Sequence, residues 1–310
     1  MKKRILVTGA SGFIGRHCVP GLLAGGFEVH TATSKEPPAI LPGDVNWHRA
    51  DLLDAEHVTS LLSEVQPTHL LHLAWVTTPS QYWVTSENIR WVEASLALFR
   101  EFVRWQGERL VVAGSCAEYD WRYGYCTEDL TPTAPAQLYG TCKHALHLMT
   151  ESWVRELGVS MAWARVFFLY GPHEQRGRLV PSVITSLLAG ELAHCSHGSQ
   201  IRDYLHVADA AQAFVALITG EIQGTVNIAS GNPISIREMT SIIGKTLDSA
   251  DRLRFGTRPI SEGDPPLLVA DIQRLVNETG WRPAFDLESG LLQTIEWWKQ
   301  QTPINPQPHP

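Results

Sequence analysis

The sequence predicts an α/β fold, with a doubly wound parallel sheet and a smaller α/β lobe towards the C-terminus. Short apolar runs alternate with longer amphipathic stretches through the first 170 residues, which is the rhythm of repeated βαβ units. A glycine-rich turn, VTGASGFIG, follows the first apolar run. Further on, a tyrosine and a lysine lie four residues apart in LYGTCKHALHLM. Together these observations predict a nucleotide-binding enzyme.

The strands and helices follow from the apolar pattern. Continuous apolar runs are typical of parallel strands that are buried on both faces. Strands are predicted over residues 5–9, 29–33, 45–49, 69–75, 109–115 and 161–169. Helices are predicted over residues 12–23, 55–65, 81–105, 138–157, 180–188 and 290–298, with a strand end and helix over 202–218.

The same pattern predicts how the chain divides into domains. Residues 1–170, with about 202–228, form the larger unit, and residues 171–201 with 229–300 form the smaller lobe. The last residues, 301–310, are rich in proline and are predicted to be a disordered tail.

Composition and charge exclude several classes of protein. A formal charge of -7, a pI near 6.0 and the lack of a basic block argue against nucleic-acid binding. Five cysteines without CxxC spacing fit free thiols in a reducing cytoplasm better than disulfides or a zinc site, so we predict a cytoplasmic protein with no metal. No secretory signal follows MKKR, and no apolar stretch approaches the 18 or so residues of a membrane span.

The glycine turn predicts a dinucleotide site. Gly9, Gly12 and Gly15 form a GxxGxxG pattern between the first strand and the first helix. Glycines at these places permit a tight turn and a close approach of the backbone to a pyrophosphate at the helix N-terminus. A glycine-rich turn without a ligand is the alternative, but the position in a first βαβ unit favours a dinucleotide.

Tyr139, Lys143 and Ser115 predict acid-base chemistry. Residues four apart share one face of a helix, which puts the lysine beside the phenol. A phenol needs its pKa lowered by about 3 units from about 10 to exchange protons near neutrality. A cation about 5 Å away contributes roughly 3 kcal/mol at an effective dielectric of about 20, and an oxidised nicotinamide adds more. The alternative, a surface Tyr/Lys pair and a serine that ends a strand, is disfavoured by the glycine turn.

The end of the second strand bears on the choice of nucleotide. An acid about 20 residues past the glycines usually binds the ribose of NAD, whereas a cation accommodates the 2′-phosphate of NADP. Thr33, Ser34 and Lys35 occupy this region, and Arg16 follows the third glycine. We therefore predict NADP in preference to NAD, although Glu36 would restore the ribose contact if the strand ended later.

These motifs resemble the extended branch of the short-chain dehydrogenase/reductase superfamily, which includes nucleotide-sugar epimerases, dehydratases and ketoreductases. The matching segments run in family order through nearly the whole chain. They are the glycine turn, His72-Leu-Ala74, Asn88, Ser115, Tyr139 with Lys143, Tyr170-Gly171-Pro172, Arg202-Asp203-Tyr204, Asn227, and Gly280-Trp281 with Pro283.

The resemblance implies a Rossmann-like fold whose C-terminal lobe binds the substrate. Tyr139 would be the acid-base residue, Lys143 would bind the nicotinamide ribose, and Ser115 would hydrogen-bond the substrate oxygen. Helices matching residues 81–105 and 140–157 would pair in a homodimer. The expected cofactor contacts are Gly9, Ser11, Gly12, Phe13, Ile14, Gly15, Thr33, Ser34, Lys35, Asp51, Leu52, Leu73, Ala74, Trp75, Tyr139 and Lys143; the expected substrate contacts are Thr77, Ser115, Cys116, Phe168 and Arg202. For Asp51, an N-cap of the next helix is an equal alternative.

Departures from the family pattern narrow the reaction. Dehydratases of this branch carry an Asp-Glu pair where this chain has Cys116 and Ala117, and Glu118 lies one position too far along. Relatives usually bind the diphosphate with an asparagine and two arginines. Arg202 matches one of these arginines, whereas Phe168 replaces the asparagine and Ser261 replaces the other arginine. Three arginines are candidate substitutes: Arg176, Arg178 and Arg258.

The sequence therefore predicts a reductase that acts on the C4 ketone of a nucleotide-activated 6-deoxy sugar, with Tyr139 as the proton donor. One alternative is a nucleotide-sugar 4-epimerase that retains its NAD. Another is a reductase or dehydrogenase of a carbonyl compound without a nucleotide. A non-catalytic nucleotide-binding regulator is disfavoured because all three catalytic positions are filled.

Overall fold

The computed structural model describes residues 3–35, 44–79, 81–260 and 263–301. Strands and helices alternate along the chain as the apolar pattern predicts. The strands are β1 Arg4–Thr8, β2 Glu28–Thr33, β3 Val45–Arg49, β4 His69–His72, β5 Arg109–Ser115, β6 Tyr125–Cys126, β7 Ser160–Val166, β8 Phe168–Tyr170, β9 Ala193–His194, β10 Ile201–His206, β11 Gly224–Ile228, β12 Pro233–Ser235, β13 Leu253–Arg254 and β14 Leu267–Ala270. The helices are α1 Gly15–Ala24, α2 Ala55–Val65, α3 Glu87–Arg104, α4 Leu138–Leu157, α5 Leu179–Leu188, α6 Val207–Thr219, α7 Ile236–Thr246, α8 Gln273–Thr279 and α9 Leu287–Gln301.

In the part of the chain that the structure describes, seven parallel strands form a central sheet in the order β11, β7, β5, β4, β1, β2, β3. The register is regular, since Ile5 of β1 lies opposite Val29 of β2 and His69 of β4. Chain order changes direction between β1 and β4, and doubly wound sheets bind ligands beyond the carboxyl ends of the strands at such a point. The predicted fold class is confirmed, and the crevice beyond Thr8 and His72 is the expected ligand site.

Helices cover both faces of this sheet. Alternate strand residues point to opposite faces. Ile5 and Val7 belong to the core that includes residues of α1 and α6. Leu6 belongs to the other core, with Leu62 of α2 and Phe99 of α3. Because both faces are covered, the central strands read in the sequence as uninterrupted apolar runs.

A second sheet lies towards the C-terminal part of the chain. Its order is β12, β10, β14, β6, with β8 beside β10. Helices α5, α7 and α9 contribute to a further core that includes Ile184, Ile243 and Ile295. Helices α5 and α7 fall within the residues that the sequence assigns to the smaller lobe. The proline-rich segment that follows α9, residues 302–310, lies outside the described residues.

Two strands differ from the prediction. Residues 161–169 are expected as one strand, but the chain breaks at Phe167, whose N–H donates to the Ile228 carbonyl at 3.0 Å. The segment that follows, β8, pairs with β10 in the smaller sheet. Thus residues 168–170 and 202–206, which the sequence assigns to the larger unit, bond within the smaller sheet. The division of the chain into domains stays a prediction.

Element boundaries at the ligand end of the sheet are shorter than predicted. β4 ends at His72, before residue 75, and the Leu73 N–H just beyond it donates to the Thr8 carbonyl at 3.2 Å. α1 begins at Gly15, after a tight turn in which the Gly12 N–H donates to the Gly9 carbonyl at 2.9 Å. α3 begins at Glu87, after a run of turns.

The cysteines and the helix lengths bear on the remaining sequence predictions. All five cysteines are free and buried, as predicted for core thiols. Burial raises the pKa of the Cys18 and Cys116 thiols, which disfavours the reactive thiolate. Among the helices within the described ranges, none combines the length and the apolar character needed to cross a membrane.

Candidate active site

The glycine turn joins β1 to α1 and touches the chain beyond β4. Gly9 has a φ of 73°, and a Cβ there would lie 2.9 Å from the Ala74 backbone nitrogen. A Cβ on Gly15 would overlap the Gly9 carbonyl oxygen. Both positions therefore require glycine. The loop that results brings backbone to the start of α1, the arrangement that a dinucleotide pyrophosphate needs.

Thr8 fastens the end of β4 to β1. Its hydroxyl oxygen lies 2.8 Å from His72 Nδ1 and accepts from the N–H groups of Leu73 at 3.2 Å and Ala74 at 3.3 Å. The other nitrogen of His72 lies 2.9 Å from the Ser95 hydroxyl on α3. Burial lowers the pKa of His72 to about 3, so the imidazole is neutral at pH 7. These bonds hold the end of β4 beside the glycine turn.

Lys143 points from α4 towards the ends of β4 and β5. Its Nζ donates to the Ala113 carbonyl at 2.9 Å and lies 3.7 Å from the centroid of the Trp75 indole ring. The Trp75 Nε1–H donates to the Asn88 amide oxygen at 2.8 Å. Burial lowers the pKa of Lys143 to about 7, and the Glu118 carboxylate opposes this shift. Lys143 thus lies beside the predicted cofactor segment.

Tyr139 occupies the first turn of α4. Its ring packs edge to face against Tyr82, with centroids 4.9 Å apart, and against Trp83 at 5.6 Å. Burial raises the pKa of the phenol, and a hydrogen bond with the Ser115 hydroxyl opposes this. In the chain itself, desolvation has the largest effect on this pKa. The lowering expected from Lys143 together with an oxidised nicotinamide stays a prediction. A protonated phenol is the form that can donate a proton.

Ser115 ends β5 and begins a short 3-10 turn over Cys116–Glu118. Its hydroxyl accepts from the Ala117 N–H at 3.1 Å, and its own N–H donates to Glu118 Oε1 at 2.8 Å. The structure thus brings Ser115, Tyr139 and Lys143 together at the carboxyl end of the central sheet.

The sequence interpretation misses Glu118. It treats this residue only as an acid one position too far along for a dehydratase. The side chain is 0% exposed and accepts from Trp163 Nε1 at 2.9 Å and from Arg165 Nε at 3.1 Å. One signal was present in the sequence, since Ser115 and Glu118 have the spacing of a capping box, which the structure forms.

His144 and His147 lie close to the same carboxylate. Within the described residues, one ligand atom from each histidine and one from Glu118 fall within 4.8 Å of one another. The carboxylate already accepts from Ser115, Trp163 and Arg165. A divalent cation there would lie next to the Arg165 guanidinium, which is electrostatically unfavourable. We therefore assign these residues to a polar network of the protein, and the sequence prediction of no metal stays a prediction.

The end of β2 lies where the sequence places the adenosine ribose. β2 ends at Thr33, as predicted, and the Thr33 hydroxyl accepts from the exposed Lys35 N–H at 3.2 Å. Asp51 is not the N-cap of α2, since that role belongs to Asp54. The Asp51 carboxylate instead accepts from the Leu53 N–H at 3.0 Å in the turn before the helix. The helix-cap interpretation of Asp51 is therefore wrong.

Arg16 is held by the glycine turn and by the segment after β8. Its guanidinium donates to the Ser11 carbonyl at 2.6 Å and lies 2.6 Å from His173 Nδ1. Its Nε–H donates to the Gly12 carbonyl at 3.2 Å. These contacts occupy the Arg16 guanidinium and hold it over the glycine turn. Glu36, the alternative ribose partner, lies outside the described residues.

Arg202 is already paired within the protein. It is 2% exposed, and its guanidinium donates to Asp264 Oδ1 at 2.6 Å. It also lies 5.5 Å from the ring of Phe168. Asp203 is not its partner, because that carboxylate accepts from the backbone of residues 230 and 231. Ser261 lies outside the described residues.

Arg178 contacts Tyr82, which packs on Tyr139. Its guanidinium donates to the Tyr82 hydroxyl at 3.3 Å and lies 4.9 Å from the Tyr82 ring, which packs on Tyr139. Of the other predicted substrate contacts, Thr77 is exposed and Cys116 is buried.

A family comparison covers most of the chain. Residues 5–229 match the model of the NAD dependent epimerase/dehydratase family. The chain belongs to this family. The match spans the glycine turn, Ser115, Tyr139 and Lys143, so the resemblance drawn from the sequence is confirmed. The chain is an NAD(P)-dependent enzyme of the extended short-chain dehydrogenase/reductase type.

Similar members of this family have different names and reactions. UDP-glucuronic acid decarboxylase 1 of Danio rerio is 27% identical over 314 residues, which cover 97% of this chain and 73% of the relative. A dTDP-glucose 4,6-dehydratase of Xanthomonas campestris pv. campestris is 27% identical, over 94% of this chain and 92% of the relative. UDP-glucose 4-epimerase of Thermus thermophilus, solved with NAD, has a TM-score of 0.85 and 25% identity, over 96% of this chain and 100% of that one. Family membership therefore leaves the net reaction open.

We predict that Gly9→Ala weakens NAD binding at least tenfold, or about 1.4 kcal/mol. The new Cβ combines a positive φ, which costs an L-residue about 1–2 kcal/mol, with overlap on the Ala74 backbone. The end of β4 must then shift away from the turn. Isothermal titration calorimetry with NAD measures the affinity, and thermal unfolding measures the stability.

Gly26→Ala is the matched control. Gly26 also has a positive φ, 79°, but a Cβ there meets nothing within 4 Å. We expect this variant to lose about 1 kcal/mol of stability and to keep its NAD affinity. An equal loss of affinity in both variants would show that backbone strain, and not the approach to Ala74, is responsible.

Proposed function

We propose that this enzyme transfers a hydride between NAD and C4 of the sugar in a nucleotide-activated substrate. The observation that carries the proposal is the meeting of Ser115, Tyr139 and Lys143 at the end of the central sheet, beside the glycine turn. The steric need for glycine at Gly9 and Gly15 fits a bound dinucleotide. NAD, when bound, supplies the hydride donor or acceptor.

Each residue of the group has a distinct role in the proposed reaction. Burial keeps the Tyr139 phenol protonated, so it can give its proton to the oxygen of a ketone that is being reduced. In the reverse direction it accepts the proton of the alcohol. The Ser115 hydroxyl hydrogen-bonds the same oxygen and orients it. When the Lys143 amine is protonated, the resulting ammonium stabilises negative charge on Tyr139 and donates hydrogen bonds to the ribose hydroxyls.

Dehydration is disfavoured by the residues that follow Ser115. Elimination of water needs an acid and a base there, and Ala117 supplies neither. Burial raises the pKa of the Cys116 thiol, so this group is a poor proton donor at neutral pH. The proposal is therefore restricted to hydride transfer.

For the net reaction we favour 4-epimerisation with retained NAD over the net reduction that the sequence predicts. The NADP preference has no support among the named relatives, since the Thermus thermophilus epimerase was solved with NAD. Within this chain, Arg16 is engaged by Ser11, Gly12 and His173, which disfavours its use for a 2′-phosphate. An enzyme that retains its NAD can oxidise C4 and reduce it again without net consumption of cofactor.

A second candidate substrate is a carbonyl compound without a nucleotide. The pairing of Arg202 with Asp264, beside Phe168, favours it, because this arginine is already neutralised. Arg178, next to Tyr82, is the cation that we propose for the diphosphate in the first candidate. The two candidates differ in whether a nucleoside diphosphate competes for the site.

We predict that purified enzyme binds NAD at least tenfold more tightly than NADP and interconverts a UDP- or dTDP-linked hexose with its C4 epimer. Calorimetry measures both affinities, and chromatography of the sugar products measures epimerisation. Net oxidation of NADH or NADPH with a 4-keto-6-deoxy sugar nucleotide would favour the reductase. If UDP and dTDP failed to compete while a simple ketone was reduced, the second candidate would replace the first.

We predict that Tyr139→Phe lowers kcat by about 10²- to 10⁴-fold, because the phenyl ring keeps the packing and loses the transferable proton. NAD affinity should change little. Tyr123→Phe is the matched control, since it removes a phenol hydroxyl from a side chain that is 57% exposed. Turnover by Tyr139→Phe at the wild-type rate would show that another group moves the proton.

We also propose that the enzyme is a homodimer that pairs through α3 and α4. These helices pack side by side and expose four large apolar side chains: Ile89 at 49%, Leu148 at 52%, Met149 at 45% and Leu157 at 50%. Burial of such side chains is favourable by about 25 cal/mol per Å². A second copy of this surface is the occupant that the predicted family arrangement implies.

We predict that the wild type elutes at about twice its 34.5 kDa mass and that Met149→Glu elutes as a monomer. The introduced charge would have to be desolvated at the interface, which is unfavourable. Size-exclusion chromatography with light scattering gives the masses. Leu292→Glu, at an apolar residue on α9 that is 51% exposed, is the control and should stay dimeric. A monomeric wild type would refute the dimer.

A further inference from the structure

A fully buried carboxylate lies beneath the proposed catalytic group, and the mechanism above does not use it. Glu118 is 0% exposed. The effective penalty of removing an ion from water is several kcal/mol even after the surroundings relax. A protein can retain such a buried carboxylate when hydrogen bonds and cations offset its desolvation penalty. We therefore ask what this charge does that an apolar side chain could not do.

The contacts of Glu118 connect it to the proposed catalytic residues. Its Oε1 accepts from the Ser115 N–H at 2.8 Å and from Trp163 Nε1 at 2.9 Å. Its Oε2 accepts from Arg165 Nε at 3.1 Å. A Cβ on Gly114 would lie 2.6 Å from Glu118 Oε1 and would overlap the Trp163 indole nitrogen. The carboxylate is therefore wedged against the last two residues of β5.

Lys143 lies one turn of α4 before His147, whose Nδ1 is 3.8 Å from Glu118 Oε2, so the two side chains share the face of α4 that meets this carboxylate. The ammonium is 3% exposed, donates to the Ala113 carbonyl and faces the ring of Trp75. A carbonyl dipole and an aromatic face stabilise a cation less than a full negative charge does. A buried ammonium with only those partners tends to lose its proton.

We propose that Glu118 is a positioning residue of this site, whose buried carboxylate fixes Ser115 at the end of β5 and provides the counter-charge for Lys143. The part that concerns Lys143 is a property of the chain itself. The consequence for turnover rests on the proposed function.

Among the described residues, the groups that face Lys143 and Glu118 include one fully buried negative charge, Glu118 itself; Glu151, 3.9 Å from His147 Nε2, is partly exposed. Burial lowers the pKa of His72 and of His147 to about 3, and it lowers that of His144 as well, so these imidazoles are neutral near pH 7. Burial raises the pKa of the phenols and of the thiol nearby, which keeps them neutral too. The facing groups are His72 from β4, Tyr139, His144 and His147 from α4, Arg165 from β7, and Cys116 and Tyr119 from the segment after β5. Among them Arg165 and Lys143 are the cations, and Glu118 is the anion that offsets both.

The sign of the pH effect follows from this arrangement. Lys143 is protonated below its pKa of about 7 and neutral above it, and Glu118 acts to raise that pKa. Without the carboxylate, the ammonium is lost at a lower pH. If turnover needs the ammonium, the alkaline limb of kcat/KM moves to lower pH by the same amount.

The test is a direct titration of Lys143 in Glu118→Gln. The chain has six lysines, so ¹³C labelling at the lysine Cε gives a spectrum in which Lys143→Arg identifies the Lys143 signal. We expect a wild-type midpoint near pH 7 and a shift of about one pH unit or more to lower pH in Glu118→Gln. The glutamine keeps an acceptor for the Ser115 N–H, which limits the structural change.

Trp163→Phe is the matched control. It removes one donor from the same carboxylate and keeps the charge. We expect its Lys143 midpoint to stay near the wild-type value even if its stability falls. An unchanged midpoint in Glu118→Gln, or the same shift in Trp163→Phe, would overturn the inference. If Glu118→Gln does not fold, Glu118→Asp withdraws the charge by one methylene and must still lower the midpoint; an unchanged value there overturns the inference as well.

The pH profile of kcat/KM separates this inference from the proposed function. A shifted Lys143 midpoint with a shifted alkaline limb supports both. A shifted midpoint in a chain that turns over no sugar nucleotide supports the role of Glu118 and refutes the proposed function. A shifted limb without a shifted midpoint refutes the counter-charge, because some other group then controls the limb.

Discussion

The hydroxyl of Thr8 fastens the carboxyl ends of β1 and β4 together, and the geometry of the site depends on that contact. It bonds His72 and the two N–H groups that leave β4. Because the end of β4 lies this close to β1, Gly9 has no room for a side chain. The Trp75 ring lies against the Lys143 ammonium. The cofactor crevice and the lysine are thus placed by one short connection between neighbouring strands.

Electrostatics then decides which protonation states this geometry permits. Burial acts in opposite directions on the two groups of α4, since it raises the pKa of Tyr139 and lowers that of Lys143. Each shift favours the neutral form. A catalytic pair of phenol and ammonium therefore needs a compensating anion for its lysine, and Glu118 is the buried carboxylate in position to provide it. The desolvation of that anion is offset in turn by Arg165, Trp163 and the backbone of Ser115.

The fold and the grouping of Ser115, Tyr139 and Lys143 were predictable from sequence because their signals are local. Alternating apolar runs, three spaced glycines and a Tyr-x-x-x-Lys pair each lie within a few residues. Glu118 was missed because Trp163 and Arg165 lie 45 and 47 positions away, and no local pattern reports such contacts. The pairing of Arg202 with Asp264, 62 positions away, was hidden for the same reason. The bonds from the N–H groups of Leu73 and Ala74 to Thr8, 65 and 66 positions before them, are likewise invisible to a local pattern.

The sequence predicts the cofactor side of the site better than the substrate side. The cofactor side is built by strands of the central sheet and by backbone, so glycine spacing reports it. On the substrate side, Arg202 has its charge satisfied by Asp264, and a diphosphate would have to displace an existing ion pair to use it. Arg178 donates to the neutral Tyr82 hydroxyl, and the buried Glu174 carboxyl lies near enough to interact with its charge. A phosphate drawn to Arg178 would act on the Tyr82 ring, which packs edge to face on Tyr139, so binding of the nucleotide and placement of the proton donor would be coupled through one aromatic contact.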